Sequence, residues 1–409
     1  MDDKKKKIDL YLLSYILILI FFGIFFLFSK HDVGNDSSLS DWLINFSGGF
    51  VRRGIIGEIS IFFSNIFSIE LRDTIFLFQT IIFSTYYFLV YKFLKDILKR
   101  RFFLLAIFSP IFILHPVAEI EILGRKELFI FLIFLLYLFF DTEKKIVQII
   151  FKIFLFPLAV LIWEPVIFFI TYLIFIDLVI FKIKRIDKKF LFILLSYFFI
   201  FFTFLLIYLN PISADGFNLM KNFLKIKFDE SCYMSCYFVG NQSQNSFFEL
   251  LRENISKIKL SFILTYSWII FIGFLPISIL LKNTKFNDTF ENIIIFSNFK
   301  NLFFPFLIIF LPSLILYLLM YDWARVVHVS YTFVLLTYFW MVKRNIIFIN
   351  HQELSKNPIN KISSKIFMLI FLVYCFGWNP KVVISDDIAS KPIYATPYKF
   401  YKIFLKDKF

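Results

Sequence analysis

The stretch Ser40–Glu58, SDWLINFSGGFVRRGIIGE, sets the reading of the whole chain. It puts Arg52 and Arg53 side by side among Gly48, Gly49, Gly54 and Gly57, with Asp41 and Glu58 at its two ends and membrane-grade apolar runs on either side. Ionisable clusters at membrane depth are costly and mark functional sites by default. The glycines remove side-chain bulk where a guanidinium pair must meet something. The rest of the chain therefore reads as a scaffold that holds this segment at one membrane face.

Composition supports that frame. The 409 residues are 59% hydrophobic and include 64 phenylalanines, with a mean hydropathy of +0.78. A soluble domain does not have this composition, so the fold class is all-α, a polytopic integral membrane helical bundle. The net charge of +14 falls in short loops between spans, where the positive-inside bias accounts for it without a nucleic-acid partner. Three cysteines exclude a disulfide scaffold and a multi-cysteine zinc site.

Outward from the opening stretch, Lys4–Lys7 precede the apolar run Leu10–Phe28 and place the N-terminus in the cytoplasm. Asp32–Gly54 then lies outside, and Ile55–Ser68 reads as an interfacial helix on the outer leaflet. Thr74–Leu94 returns to Lys95, Lys99, Arg100 and Arg101; Phe102–Val117 goes out, Glu119–Glu127 turns, and Leu128–Phe140 comes back. Ile146–Phe181 has basic residues at both ends, so it must cross twice or not at all. As helix it reaches roughly 54 Å, about twice a ~27 Å hydrocarbon core. Trp163-Glu164-Pro165 is thus the outer tip of a hairpin, because proline cannot continue the helix. Phe190–Leu209, Leu260–Leu281, Leu302–Met320, Val329–Val342 and Phe367–Trp378 complete about 11 spans. The chain forms a single transmembrane domain over 1–409, with an outer loop plus interfacial helix at 29–73, a second outer loop at 210–258 and a C-terminal tail at 379–409.

Under this topology the acids near span ends gather on the outer face: Asp41, Glu58, Glu119, Glu121, Glu127, Glu164 and Asp322. Arg52, Arg53, Arg125 and Arg325 join them there, against the bias that depletes outer turns of basic residues. An anionic ligand is the simplest reason. Arginine presents a planar fork that suits phosphate oxygens and keeps its charge under partial burial. Lys126 follows Arg125, and Asp322, Arg325 and His328 share a helix face at spacings of three. Cys232 and Cys236 could close a disulfide in an oxidising outer compartment. No Walker loop, dinucleotide fingerprint, HExxH or GxSxG is present.

A first span followed by an outer loop with an acid (Asp41) and an interfacial helix (Gly54–Ser68) resembles the start of the GT-C class of membrane glycosyltransferases. NFSGGFVRRGIIGE, ILGRKE and YDWARVVH also look like segments of bacterial O-antigen and capsule polymerases. The resemblance implies a glycosyltransferase or polysaccharide polymerase using a polyprenyl-(pyro)phosphate-linked saccharide at the outer face of the bacterial cytoplasmic membrane. It implies Asp41 as catalytic base, with Glu58 or Glu164 as substitutes. Arg52, Arg53, Arg125, Lys126, Asp322, Arg325 and His328 would then form the phosphate-binding set. No cofactor is expected; a divalent metal is left open, with no ligand motif to support one. The alternatives are a transporter or flippase of a lipid-linked anionic saccharide, and a non-catalytic assembly subunit whose outer charges merely pair with one another.

Overall fold

The computed structural model describes residues 2–33, 37–98, 100–140, 144–244, 247–287, 299–385 and 387–404. Asn35, Asp36, Lys99 and the stretch 288–298 lie outside the described residues, as do the side chains of Lys4–Lys7. Helices dominate. Among the described residues two short strands, Thr284–Phe286 and Ile347–Ile349, pair antiparallel.

Four helices among the described residues are long and apolar enough to cross a membrane: Asp9–His31, Leu71–Leu94, Leu260–Lys282 and Trp323–Lys343. The pair Lys188–Ser196 and Phe198–Leu209, bent by 42° at Tyr197, makes a fifth if counted as one span. The expectation of about 11 full spans is therefore not met by helix length. The other apolar runs are broken up, and the breaks have identifiable causes. Phe102–Val117 does not form one helix: Arg101–Ile107 stops before Ser109-Pro110, and a new turn begins only at His115. Gly54–Phe67, Glu127–Phe139, Ile146–Ile162, Phe303–Leu319 and Ser364–Phe376 are short apolar helices. Proline removes a backbone donor and clashes with the preceding turn, so apolar runs with Pro110, Pro116 and Pro165 divide where hydropathy alone continues.

Trp323–Lys343 is the centre. Every residue from Trp323 to Met341 is buried, including Arg325, His328, Ser330, Thr332 and Thr337. Polar side chains on a helix in an apolar chain must face protein, and this helix is enclosed all round. Tyr331 donates its hydroxyl to the Ala106 carbonyl at 2.7 Å, and Lys343 Nζ reaches the Phe93 carbonyl at 2.9 Å, tying the helix to its neighbours. The first helix is peripheral by contrast, with Leu17, Phe21, Phe25 and Phe28 exposed.

The segment 146–180 doubles back. Gln148 donates to the Asp177 carboxylate at 3.3 Å and Lys152 forms an ion pair with the same carboxylate, which leaves Glu164 at the far turn. The 210–258 segment carries the Cys232–Cys236 disulfide. It packs onto the opening stretch: a Cβ on Gly48 would lie 1.8 Å from the Gly216 carbonyl oxygen, so only glycine lets these two backbones meet. Arg72 forks onto Glu230 nearby. The start of the tail folds onto the same face, where Ile384 N–H donates to the Tyr321 carbonyl at 3.2 Å.

Candidate functional site

Asp41 sits in the tight turn Asp41–Leu43, all three residues of which are buried. Two contacts hold that turn. Trp42 Nε1 donates to the Gly124 carbonyl at 2.8 Å, and Gln79 Nε2 bridges the Ser38 and Gly124 carbonyls at 2.9 and 3.2 Å. Gly124 is in the left-handed region at φ +73°, a conformation glycine adopts without strain. On the other side, the helix Gly54–Phe67 packs its Gly57 so tightly that an added Cβ would lie 1.9 Å from the Ile44 carbonyl oxygen. Gly48 and Gly57 therefore serve backbone-to-backbone packing, not the opening of space beside the arginine pair.

The arginines converge on carboxylates from distant parts of the chain. Arg53 forks onto Glu164 at 2.7 and 2.9 Å, and Arg52 Nη1 reaches the same carboxylate at 3.1 Å. Arg53 Nη1 lies 3.8 Å from Asp41 Oδ1. Lys126, 1% exposed, donates to the Arg53 carbonyl at 2.6 Å. Arg325 makes a buried ion pair with Glu127 and a second contact to Asp322 at 3.2 Å. Asp322 also lies 3.5 Å from Arg125, whose Nε donates to the Glu121 carbonyl at 2.6 Å. The Arg325 guanidinium stands over the Trp163 ring at 5.5 Å. Arg52, Arg53, Arg125, Lys126 and Arg325 thus face Asp41, Glu127, Glu164 and Asp322 in one network, with the bases in excess by one.

Asp41 is the odd member. It is 0% exposed, and neither of its carboxylate oxygens has a hydrogen-bond partner among the described residues. Burial alone raises its pKa, but Lys126, Arg53, Arg325 and Arg125 outweigh it and hold the carboxyl well below the usual carboxylate range. Glu164 behaves alike: burial pushes it up, while Arg53 and Arg52 pull it down to about 2. Burial brings the Lys126 ammonium down to about 8, although Asp41 nearby favours its charge. An ionised, buried carboxylate that makes no hydrogen bond among the described residues has acceptor capacity left to fill.

Two assignments change in the light of this geometry. Glu58 does not join the network: it accepts the Phe46 N–H at 3.0 Å, bracing the loop, and makes no ion pair among the described residues. His328 cannot serve a phosphate as a neutral donor. Its Nδ1 lies 3.0 Å from the Ile111 carbonyl, which only accepts, so Nδ1 carries the proton and Nε2 presents a lone pair.

The structure also brings in residues outside the expected set. Glu127, counted in the sequence among the outer-face acids but not in the phosphate-binding or catalytic set, is the main partner of Arg325. Trp163 lies under the Arg325 guanidinium. His115 lies beside His328 with ring centroids 5.2 Å apart and the rings tilted; its signal in the sequence was a histidine inside an apolar run. Among the described residues no group of three or more His, Cys, Asp or Glu side chains could hold a metal ion. No protein-family model, curated protein or solved structure matches the chain.

Proposed function

We propose that the protein is a membrane glycosyltransferase or polysaccharide polymerase that uses a polyprenyl-(pyro)phosphate-linked saccharide at the outer face of a bacterial cytoplasmic membrane. The observation that carries the reading is the buried Asp41 carboxylate, which makes no hydrogen bond among the described residues and is surrounded by Arg53, Lys126, Arg325 and Arg125. A disulfide persists in an oxidising compartment, and the Cys232–Cys236 segment docks on the loop that carries Arg52 and Arg53. That supports an outer-face site, with the N-terminus cytoplasmic and about eleven crossings once short and broken segments are included.

Glycosyl transfer needs the acceptor hydroxyl oriented and relieved of its proton while negative charge builds on the departing phosphate. Asp41 accepts the hydroxyl's hydrogen bond and then its proton as the acceptor oxygen bonds to the anomeric carbon. The bond from that carbon to the phosphate oxygen breaks, and the phosphate leaves with its electron pair. Arg52 is the most accessible of the guanidiniums, 26% exposed, and with Arg53 and Lys126 neutralises that charge. Glu164 positions both arginines and is not the base. Its carboxyl is already committed to their forks.

A second reading, a carrier of the same lipid-linked solute, is favoured by the buried Lys152–Asp177 pair. It lies where Ile150–Leu155 widens into a π-helix and where the neighbouring span bends at Tyr197. Intramembrane charge and broken helices are features of transporters. Purified protein in proteoliposomes, given a polyprenyl-diphosphate-linked sugar and an acceptor glycan, separates the two. Sugar transfer abolished in Asp41→Asn and reduced at least tenfold in Arg52→Ala supports the enzyme. Translocation of intact lipid-linked sugar without transfer supports the carrier and refutes the proposal.

A further inference from the structure

His115 and His328 are 0% and 1% exposed, and their rings are in contact. Both are pinned at Nδ1. His328 donates to the Ile111 carbonyl at 3.0 Å, and His115 donates to Asn379 Oδ1 at 2.9 Å. The Asn379 orientation is itself fixed, because its Nδ2 donates to the Glu119 carboxylate at 3.4 Å, with Lys381 at 3.4 Å from the same carboxylate. Neutral rings locked this way carry bare lone pairs at Nε2. Among the described residues neither Nε2 has a hydrogen-bond partner.

Burying an acceptor without a donor is costly, so each of these neighbouring rings calls for a ligand that donates to its Nε2. A phosphate at neutral pH offers mainly acceptors, and its charge would meet two imidazole lone pairs. A cation would meet Arg325, one turn away on the same helix, in a network where bases already outnumber carboxylates. Hydroxyl groups fit both constraints. We infer that His115 and His328 form a saccharide-hydroxyl subsite beneath the ion network, which reads the sugar while the arginines hold the phosphate. The inference rests on the proposed glycosyl-lipid reading and names the part of that substrate the histidines would recognise.

A sugar hydroxyl and a structural water share this donor chemistry, and one experiment separates them. The probes are polyprenyl diphosphate and the same lipid carrying one N-acetylglucosamine, titrated onto 15N-histidine-labelled protein in lipid nanodiscs. The chain has only 4 histidines, so the rings are resolvable. The sugar-bearing lipid is expected to bind about tenfold more tightly than the bare lipid, the equivalent of one or two hydrogen bonds. Its binding shifts the Nε2 resonances of His115 and His328, while the bare lipid leaves them in place. His115→Asn and His328→Asn keep a donor near the Nδ1 position and lose Nε2. Each should erase most of the tenfold preference and leave bare-lipid affinity unchanged. Equal affinities with no Nε2 shift mean that a water alone fills the site, and overturn the subsite while the glycosyl-lipid reading stands. Binding of neither lipid overturns that reading, and the subsite with it. The resonance measurement on the wild-type chain stands even if a variant fails to fold.

Discussion

Replacing the Arg325–Glu127 pair tests whether the network is as buried as it looks. The two side chains are 3% and 2% exposed, and once Glu127 is lost Asp322, at 3.2 Å, is the carboxylate left in ion-pair contact with Arg325 among the described residues. Removing one partner of a buried pair costs about 3–5 kcal/mol, because the other charge is left in a low-dielectric setting. Glu127→Leu should fall near the lower end, about 3 kcal/mol, since Asp322 still faces Arg325. Arg325→Met should cost more, about 4–5 kcal/mol, because Glu127 Oε2 already lacks a hydrogen-bond partner and would lose its one strong cation. The double variant replaces the pair with apolar side chains of similar volume, an exchange that is often neutral or stabilising. Its cost should stay below about 1 kcal/mol, so the coupling is far larger than the roughly 0.5 kcal/mol scatter of independent sites. Tryptophan-fluorescence unfolding in mixed detergent micelles reads all four corners of this cycle. Two results would refute the reasoning: single variants within about 1 kcal/mol of wild type, or a double variant equal to the sum of the singles. Either would place Arg325 in water or against another acid.

Other expectations follow from the same geometry. Gly57→Ala should destabilise the Asp41 turn by about 1–3 kcal/mol, because the new Cβ would lie 1.9 Å from the Ile44 carbonyl oxygen. Gly49→Ala has open space around it and only its φ of +105° to contend with, so it should cost less, about 1 kcal/mol, in the same unfolding assay. The Glu164 carboxyl is depressed from 4.5 to about 2, so its contribution to stability is full above pH 4.5 and is lost as pH falls toward 2. Wild type should be more stable than Glu164→Gln at pH 6, and the two curves should converge near pH 2; curves that stay parallel would contradict the pairing. Cys232 and Cys236 should resist alkylation in denatured protein from cells until a reductant is added. Free thiols before reduction would remove the support for an outer-face site.

The fold was legible at the level of class and not of count, for a physical reason. Hydropathy registers every apolar run, but a full-length spanning helix needs an unbroken one, and Phe102–Val117 is interrupted where Ser109-Pro110 removes a donor and bends the chain. The hairpin of 146–181 could be inferred because its constraint was global: basic residues at both ends force the chain to return. The structure adds what no charge count gives, namely that Lys152 and Asp177 on the two arms meet each other. Tyr197, on a third segment, donates to that carboxylate at 2.7 Å where its helix bends.

At the site, the sequence singled out charged residues that the fold brings together, without showing what each of them meets. Arg52, Arg53, Arg125 and Arg325 were identifiable because each, on the expected topology, runs against the charge bias of outer turns. Their partners were not. An ion pair between positions 53 and 164, or 325 and 127, leaves no local pattern, since it is made by the fold and not by spacing. This matters for function. Arginines seen in sequence look free to bind an anion, whereas here most of their charge is met by Glu164, Glu127 and Asp322. What remains without a hydrogen bond among the described residues is mostly acceptors, the Asp41 oxygens, Glu127 Oε2 and the two histidine Nε2 atoms, with Trp163 Nε1 a donor beside them. A binding site is defined by the hydrogen-bonding capacity its own residues leave unused. By that criterion, and on the proposed glycosyl-lipid reading, the buried acceptors of this network would take hydroxyl donors, while its partly exposed rim at Arg52 and Arg53 would take phosphate.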